Sequence, residues 1–301
     1  MDYDRDGHLD ILSGCYWSSL DDGGNPQAGY TMMLKGQGTL SFHQAEPICD
    51  RNSQPLTNIK LSKSQIENYD RKNLDKHNIC TRQHLVDYDG DGDLDLVNGC
   101  SKKAIFLHVN QALSSASLPV FEGEARKLKI ESPDSHNDPH LVDFDSDGDL
   151  DLLTGGVLGG VYISINNGTR VDPKWAPFVT LVNAIDRYEI LGETNGNATP
   201  YRASRVWVYD FNHDGKMDLL VGDSTEIVGP LPKCSPEEFA KTRTDYVEKV
   251  ESLLAKQDDA KRRDDKEELE RLNGEFAKVE PLREQLFNIR QTGHVWLYLQ
   301  R

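Results

Sequence analysis

The chain has 301 residues, of which 37% are hydrophobic and 28% are charged, enough for one large domain. No apolar stretch in the sequence approaches the length needed to cross a membrane. The formal net charge of −16 at pH 7 argues against nucleic acid as a partner, because proteins that bind its backbone neutralise phosphates with Lys and Arg.

Four segments share one acidic pattern, and the first of them opens the chain. They read DYDRDGHLDIL from Asp2, DYDGDGDLDLV from Asp87, DFDSDGDLDLL from Asp143 and DFNHDGKMDLL from Asp210. Carboxylates placed so close together repel one another at neutral pH unless a cation lies among them. Oxygen donors without Cys or His side chains as ligands favour Ca²⁺ over Zn²⁺, and flexible geometry favours Ca²⁺ over Mg²⁺.

The pattern therefore predicts four Ca²⁺ sites. Side chains at loop positions one, three, five and nine and the backbone carbonyl at position seven would be the ligands, while glycine at position six permits the sharp turn. The predicted ligands are Asp2, Asp4, Asp6, His8 and Asp10; Asp87, Asp89, Asp91, Asp93 and Asp95; Asp143, Asp145, Asp147, Asp149 and Asp151; and Asp210, Asn212, Asp214, Lys216 and Asp218. Four divalent ions would halve the net negative charge.

Each loop is followed by a strand rather than a helix. After position nine come LDILSG, LDLVNG, LDLLTG and MDLLVG, short apolar runs that end in glycine. An EF-hand needs flanking helices and a Glu at position twelve, where this chain has Ser13, Asn98, Thr154 and Val221. The repeating unit is therefore strand, loop, strand.

The four loops, the closing glycine and third strands such as GGVYISINN and GHVWLYLQR resemble the FG-GAP or VCBS repeats. These repeats build the calcium-binding β-propeller of integrin α chains and of many bacterial extracytoplasmic proteins. The resemblance implies an all-β propeller with one blade of four antiparallel strands per repeat, and it implies no single activity. It touches most of the chain except residues 47–82 and 235–290.

Placing the strands leaves blade one without a first strand and ends blade four in its third strand, at Arg301. We expect a partial propeller, or one completed by another chain; the alternative is four blades that close with irregular strands. Residues 1–234 and 291–301 are expected to form the blades. Residues 235–290 would be a helical hairpin inserted between strands of the last blade.

The insertion carries several helix signals. Ser235, Pro236 and Glu238 predict a helix start, and apolar residues then recur at three- and four-residue steps. KQDDAKRRDD, residues 256–265, is predicted to be the turn between two antiparallel helices, and Pro281 to interrupt the second one. The hairpin is either an arm for a partner protein or for self-association, or a strut over the propeller face.

Every large insertion falls at the blade ends opposite the calcium loops, and loops of this kind carry binding sites. We expect a protein or glycan ligand on that face. Candidate ligand-binding residues are His84, His140 and Trp207, three residues before their loops and near the axis, together with Tyr16, Trp17, Tyr201 and Arg202. The alternatives are histidines that only hydrogen-bond within the channel and a solvated loop.

The five cysteines form no zinc or haem motif. Cys15 and Cys100 occupy the same repeat position and are expected to be buried packing residues. A disulfide between Cys49 and Cys80 is the other possibility that the sequence leaves open, since connectivity cannot be deduced from spacing.

No nucleophile elbow, phosphate loop or HExxH motif occurs, so we expect a binding or adhesion module. A carbohydrate-active enzyme similar to polysaccharide lyases is the alternative. Weak calcium loops fill outside the cytoplasm, which favours a periplasmic, secreted or cell-surface location. The chain shows no signal peptide, so that location needs an upstream segment. Self-association through the hairpin or through open propeller edges is also expected.

Overall fold

The computed structural model describes residues 2–4, 6–14, 30–60, 76–112, 119–185, 199–279 and 281–301. Most of the regular structure is β, in four antiparallel sheets that follow one another along the chain. Each sheet has three or four strands. The prediction of a mostly β protein built from blade-like antiparallel sheets is confirmed.

Apart from Asn288–Thr292, the strands fall where the repeat pattern places them. Sheet one contains β1 (Ile11–Ser13), β2 (Met32–Leu34) and β3 (Glu46–Pro47). Sheet two contains β4 (Arg82–Val86), β5 (Asp95–Gly99), β6 (Ala104–His108) and β7 (Arg126–Glu131). Sheet three contains β8 (Asp138–Val142), β9 (Asp151–Gly155), β10 (Val161–Ser164) and β11 (Val179–Val182). Sheet four contains β12 (Arg202–Tyr209), β13 (Asp218–Gly229), β14 (Asn288–Thr292) and β15 (Val295–Tyr298).

Successive sheets pack face to face through apolar clusters. Between sheets two and three, Val97, Ile105 and Leu107 pack with Leu141 and Leu152. Similar clusters join sheet one to sheet two and sheet three to sheet four. Each fully buried aliphatic side chain contributes about 1.5–3 kcal/mol relative to an exposed one. Because β8 also contacts both β4 and β12, the arrangement is propeller-like, with these strands innermost.

In the first three repeats, the glycine that closes the second strand allows the next sheet to approach. A Cβ atom on Gly99 would overlap the backbone oxygen of Asn137, and one on Gly155 would overlap that of Ser204. Asn137 and Ser204 lie at the start of the next sheet's first strand. Only glycine leaves room for this backbone contact.

Three helices follow β13: α1 (Pro236–Arg262), α2 (Lys266–Val279) and α3 (Leu282–Leu286). Ser235 caps α1, because its Oγ accepts a hydrogen bond from the backbone N–H of Glu238 at 3.1 Å. Pro281 lies between α2 and α3, where its missing N–H is tolerated. The helices share an apolar cluster with Val228 of β13.

The predicted turn at residues 256–265 is wrong, because α1 continues to Arg262 and the turn is confined to residues 263–265. Gln257 and Ala260 are buried, and Gln257 Nε2 donates a hydrogen bond to Asn273 Oδ1 of α2 at 3.0 Å. An ion pair between Lys261 and Asp258 spans one turn of the helix. One buried edge is thus enough to keep this polar segment helical.

Strand β14 was not predicted. It pairs with the second half of β13, from Thr225↔Thr292 to Gly229↔Asn288, while the first half of β13 pairs with β12 and β15. The helices are therefore joined to sheet four by a two-stranded ribbon, and the predicted helical segment 235–290 ends in a strand.

Cys49 is a free, half-buried thiol, so the disulfide with Cys80 is absent. Cys100 is fully buried, as expected for a packing residue, and Cys15 lies outside the described residues. Among the helices of the described residues, none combines the length and the apolar character that a bilayer span requires.

Candidate functional site

The second, third and fourth acidic loops connect the first strand of a repeat to the second, and the first loop precedes β1. Carboxylates within the loops hold their shape. In the third loop, Asp143 accepts hydrogen bonds from the backbone N–H groups of Asp147 (3.0 Å) and Gly148 (3.1 Å). Position five accepts from the N–H of position seven in every loop: Asp6 from His8, Asp91 from Asp93, Asp147 from Asp149 and Asp214 from Lys216. The position-seven residues are thereby fixed through their N–H groups.

Glycine at position six has a left-handed backbone in each loop. The φ angles are +90° at Gly7, +92° at Gly92, +97° at Gly148 and +85° at Gly215. Residues with a Cβ atom rarely adopt this conformation, which explains why glycine recurs there.

Carboxylate oxygens converge in three of the four loops. The clusters are Asp2, Asp4 and Asp6; Asp87, Asp89 and Asp95; and Asp143, Asp145 and Asp151, each with one oxygen per residue within 4.8 Å of the others. The predicted ligands Asp10, Asp91 and Asp147 lie outside these three-residue groups. Three carboxylates this close repel one another, and a cation bound among them removes that repulsion.

The chemistry of the donors fits a hard cation. Asp2 Oδ1, Asp4 Oδ1 and Asp89 Oδ1 are buried and have no hydrogen-bond partner among the described residues. Burial, together with the charges of Asp89 and Asp93, raises the pKa of Asp95 to about 7. Burial and neighbouring loop carboxylates likewise raise the pKa of Asp93 to about 6. Calcium takes six to eight such oxygens in flexible geometry.

The aspartate at position nine has a second role that the acidic pattern alone does not predict. In the second loop Asp95 accepts hydrogen bonds from the N–H of Tyr88 at 2.8 Å and of Asn110 at 2.7 Å. The same pair of bonds recurs from Tyr3 and Gly36 to Asp10, from Phe144 and Asn166 to Asp151, and from Phe211 and Gln300 to Asp218. Each aspartate thus clamps its loop to the end of the third strand. The separation in sequence between the aspartate and this second donor is 15 residues in the second and third repeats but 26 in the first and 82 in the fourth, so the sequence carries no regular spacing that signals the clamp.

The fourth loop departs from the others. Asn212 replaces an aspartate at position three, and its Nδ2 donates a hydrogen bond to Asp214 Oδ2 at 3.1 Å. No group of three carboxylates converges in this fully described loop. Lys216, at position seven, can offer only its backbone carbonyl. The structure therefore assembles three carboxylate clusters from the four predicted sites.

Basic residues lie beside two of the clusters. Arg170, in the turn after β10, donates hydrogen bonds to the backbone oxygen of Asp87, with Nε at 3.2 Å. Its guanidinium also lies 3.8 Å from Asp87 Oδ2. Lys35 Nζ lies 3.2 Å from Asp4 Oδ2. Arg170 connects sheet three to the loop of sheet two.

The predicted axial residues come together. The ring centroids of His84 and His140 are 4.0 Å apart, and those of His140 and Trp207 are 5.0 Å apart. Burial lowers the pKa of His84 to about 4 and that of His140 well below its usual value, so both are neutral at pH 7. They line a pocket of about 290 Å³ with Asp138 of β8, Arg205 of β12 and further residues of β4, β8, β12, β13 and β15.

The remaining predicted ligand residues do not join this group. Tyr201 is buried, and its N–H donates a hydrogen bond to Asp223 Oδ2 at 3.0 Å, so its ring is not exposed for stacking. Arg202 is half-buried at the start of β12. Tyr16 and Trp17 lie outside the described residues.

Comparison with known proteins supports the repeat assignment. The profile of the FG-GAP-like repeat matches residues 143–221, which include the third and fourth loops. The resemblance to FG-GAP repeats is therefore confirmed, and such repeats form binding modules. No curated protein matches the chain. The Tc holotoxin pore of Photorhabdus luminescens matches with a TM-score of 0.33 and 14% identity, over 65% of this chain and 7% of that chain.

Proposed function

We propose that this protein is a calcium-stabilised repeat scaffold that acts outside the cytoplasm and binds a protein or glycan on the face opposite the acidic loops. The observation that carries the proposal is the set of three carboxylate clusters, two of which contain buried oxygens that lack a hydrogen-bond partner among the described residues. Calcium would join the ends of the first and second strands in the second and third repeats, and would hold the loop that precedes β1 in the first repeat. The backbone of the loops already has the shape that an ion would need, through the hydrogen bonds to Asp143 and the left-handed glycine at position six.

The proposed location outside the cytoplasm rests on the calcium affinity expected for these loops. The loops lack the bidentate glutamate of high-affinity EF-hands, and their first positions are partly open to solvent. Extracellular modules bind calcium with dissociation constants of roughly 10⁻⁴ to 10⁻³ M, whereas cytosolic free calcium is too low to fill such sites. A scaffold that depends on these ions is stable where calcium is abundant.

The proposed ligand face is the end of the sheets that bears the insertion. The helices leave sheet four between β13 and β14, at the strand ends away from the loop at residues 210–217. Between α1 and α2 lies a groove of about 400 Å³ lined by Lys249, Lys256 and Lys278 together with Glu275. These charges suit an acidic protein or glycan partner.

Calcium dependence is tested by thermal unfolding and calorimetric titration of the full chain. Calcium should raise the midpoint of unfolding and chelator should lower it, with Asp89→Asn and Asp145→Asn each reducing the number of bound ions. Asp172→Asn, the same change at an exposed position outside the clusters, should leave the titration unaltered. A calcium titration without heat or stabilisation would reject the metal sites.

Ligand binding is tested by affinity capture and glycan arrays with the full chain and with a variant in which Asn-Gly replaces residues 230–287. This junction keeps the ribbon, since Gly229 pairs with Asn288, and Asn-Gly suits a two-residue hairpin. A charge-reversal variant of Lys249, Lys256 and Lys278 keeps the helices. Unchanged partners for both variants would show that the ligand binds elsewhere.

A further inference from the structure

The outer face of sheet four exposes a continuous set of large apolar side chains. Trp207 is 53% exposed, Val295 is 72% exposed and Leu297 is 51% exposed. Tyr209 and Phe211 extend the same face toward the fourth loop, and both are exposed. An apolar patch of this kind on a soluble protein marks an interaction surface.

These positions are the ones that neighbouring sheets bury in the rest of the molecule. Leu297 pairs with Leu220 across β13 and β15, as Leu107 pairs with Val97 in sheet two and Ile163 with Leu153 in sheet three. Leu107 is 0% exposed and Ile163 is 5% exposed, because the next sheet covers each of them. Sheet four thus presents the same face uncovered.

The closing glycine agrees with this comparison. Gly99 and Gly155 abut the backbone of the following sheet, so that a Cβ atom would overlap it. At Gly222, the equivalent residue of β13, a Cβ atom would meet only Arg205 Cβ, at 3.6 Å. The glycine keeps open a space that no backbone fills in the described residues.

The opposite end of the molecule exposes the complementary face. Leu9 is 72% exposed and Ile11 is 45% exposed. Their equivalents in sheet three are Leu150 and Leu152, which are buried against sheet two. Each interface between neighbouring sheets joins a face like the outer face of sheet four to a face like the outer face of sheet one. Among the described residues, one face of each kind is left uncovered.

We propose that the outer face of sheet four docks onto the outer face of sheet one in a second copy of this chain. Within the chain, a face like that of sheet four is always covered by a face like that of sheet one, which identifies the occupant. The contact is head-to-tail, because it joins two different faces. Two copies related by a two-fold axis would cover both faces of each copy and form a ring of eight sheets, a size known for propellers. The docked sheet also closes the axial pocket, since Trp207 and Val295 line it. This assembly does not depend on calcium or on the proposed ligand.

The test is the mass of the full chain in solution, measured by light scattering and sedimentation. The wild-type chain should be a dimer at high micromolar concentration. Leu297→Glu removes one face and Ile11→Glu removes the other, so each variant alone should be monomeric. An equimolar mixture should form dimers again, because each variant keeps the face that the other lacks.

Leu40→Glu, at a residue that is 96% exposed and outside both faces, should remain dimeric. Circular dichroism should show that all variants fold, since the replaced side chains are exposed. A monomeric wild-type chain would overturn the proposal. Trp207 fluorescence would then show whether the two faces are exposed to solvent or are buried against each other within one chain, and either result contradicts a dimer. Dimers of the wild type without recovery in the mixture would also overturn it, because the contact would then not be head-to-tail.

Discussion

The same substitution, Asp to Asn, should have opposite effects at two positions of the acidic loops. Asp89 Oδ1 has no hydrogen-bond partner in the described residues and lies in a cluster with Asp87 and Asp95. Asp218 is fully buried and accepts hydrogen bonds from the N–H groups of Phe211 at 2.9 Å and Gln300 at 3.0 Å. One residue is a candidate ligand, and the other is a clamp.

When a chelator removes calcium, the Asp89→Asn substitution removes the repulsion between this carboxylate and those of Asp87 and Asp95. At 4.8 Å, the upper limit of the separation between oxygens in the cluster, two unit charges repel by roughly 1 kcal/mol at the dielectric of water and by about 3 kcal/mol at an effective dielectric of 20. Because Asp89 is half-exposed, we expect the lower figure, a stabilisation of about 1 kcal/mol. Asp218→Asn instead leaves a buried N–H facing the new amide, which costs about 1–3 kcal/mol.

The measurement is urea unfolding at pH 8, first in chelator and then in millimolar calcium, with the midpoint as the readout at constant slope. Calcium should stabilise Asp89→Asn less than the wild type, and should stabilise Asp218→Asn about as much as the wild type. If Asp89→Asn is destabilised in chelator to the extent of Asp218→Asn, or keeps the full calcium response, the division between ligand and clamp is incorrect.

Three further predictions concern the strands and the insertion. Gly99→Ala should lower stability by about 1–3 kcal/mol, because its Cβ would overlap the Asn137 carbonyl, while Gly222→Ala should change the melting temperature little; equal losses would contradict the proposed role of the glycine. Burial lowers the pKa of His108 to about 4, below about 6.5 in the unfolded chain, so its contribution to stability is complete above pH 6.5 and is lost as the pH falls toward 4. His108→Leu should remove about 3 kcal/mol of acid sensitivity at pH 4, measured as the difference in unfolding free energy from wild type, and parallel pH profiles would exclude it. Ser235→Ala should cost the insertion about 1 kcal/mol through loss of the cap, seen as faster hydrogen exchange in the first turn of α1 with no change in β4 to β11; unchanged exchange would show that the cap is dispensable.

Much of the fold could be predicted from the sequence, because the repeat is written in residue types with strong local requirements. The glycine at position six needs a left-handed backbone, and the apolar runs after position nine are strands β5, β9 and the first half of β13. The features that were missed depend on tertiary contact. The length of α1 rests on the burial of Gln257 and Ala260 against α2, and β14 exists only because the end of β13 offers it an edge.

The candidate site was predictable in composition but not in geometry. Alternating aspartates indicate oxygen ligands, yet nothing in the sequence separates a carboxylate with a free lone pair, such as Asp89, from one already bonded to two N–H groups, such as Asp95. The gathering of His84, His140 and Trp207 followed from their shared position before each loop. Their pocket also needs Val295 of β15, a strand that is far from these residues in the sequence.

Strand β13 belongs both to sheet four and to the ribbon that carries the helices. A pulling force applied at the tip of the insertion therefore runs lengthwise along one polypeptide backbone into the β12–β13 ladder. The hydrogen bonds of that ladder are loaded together in shear rather than opened one after another from the end. A protein that holds its partner through this insertion would resist mechanical detachment far better than one attached by a flexible loop.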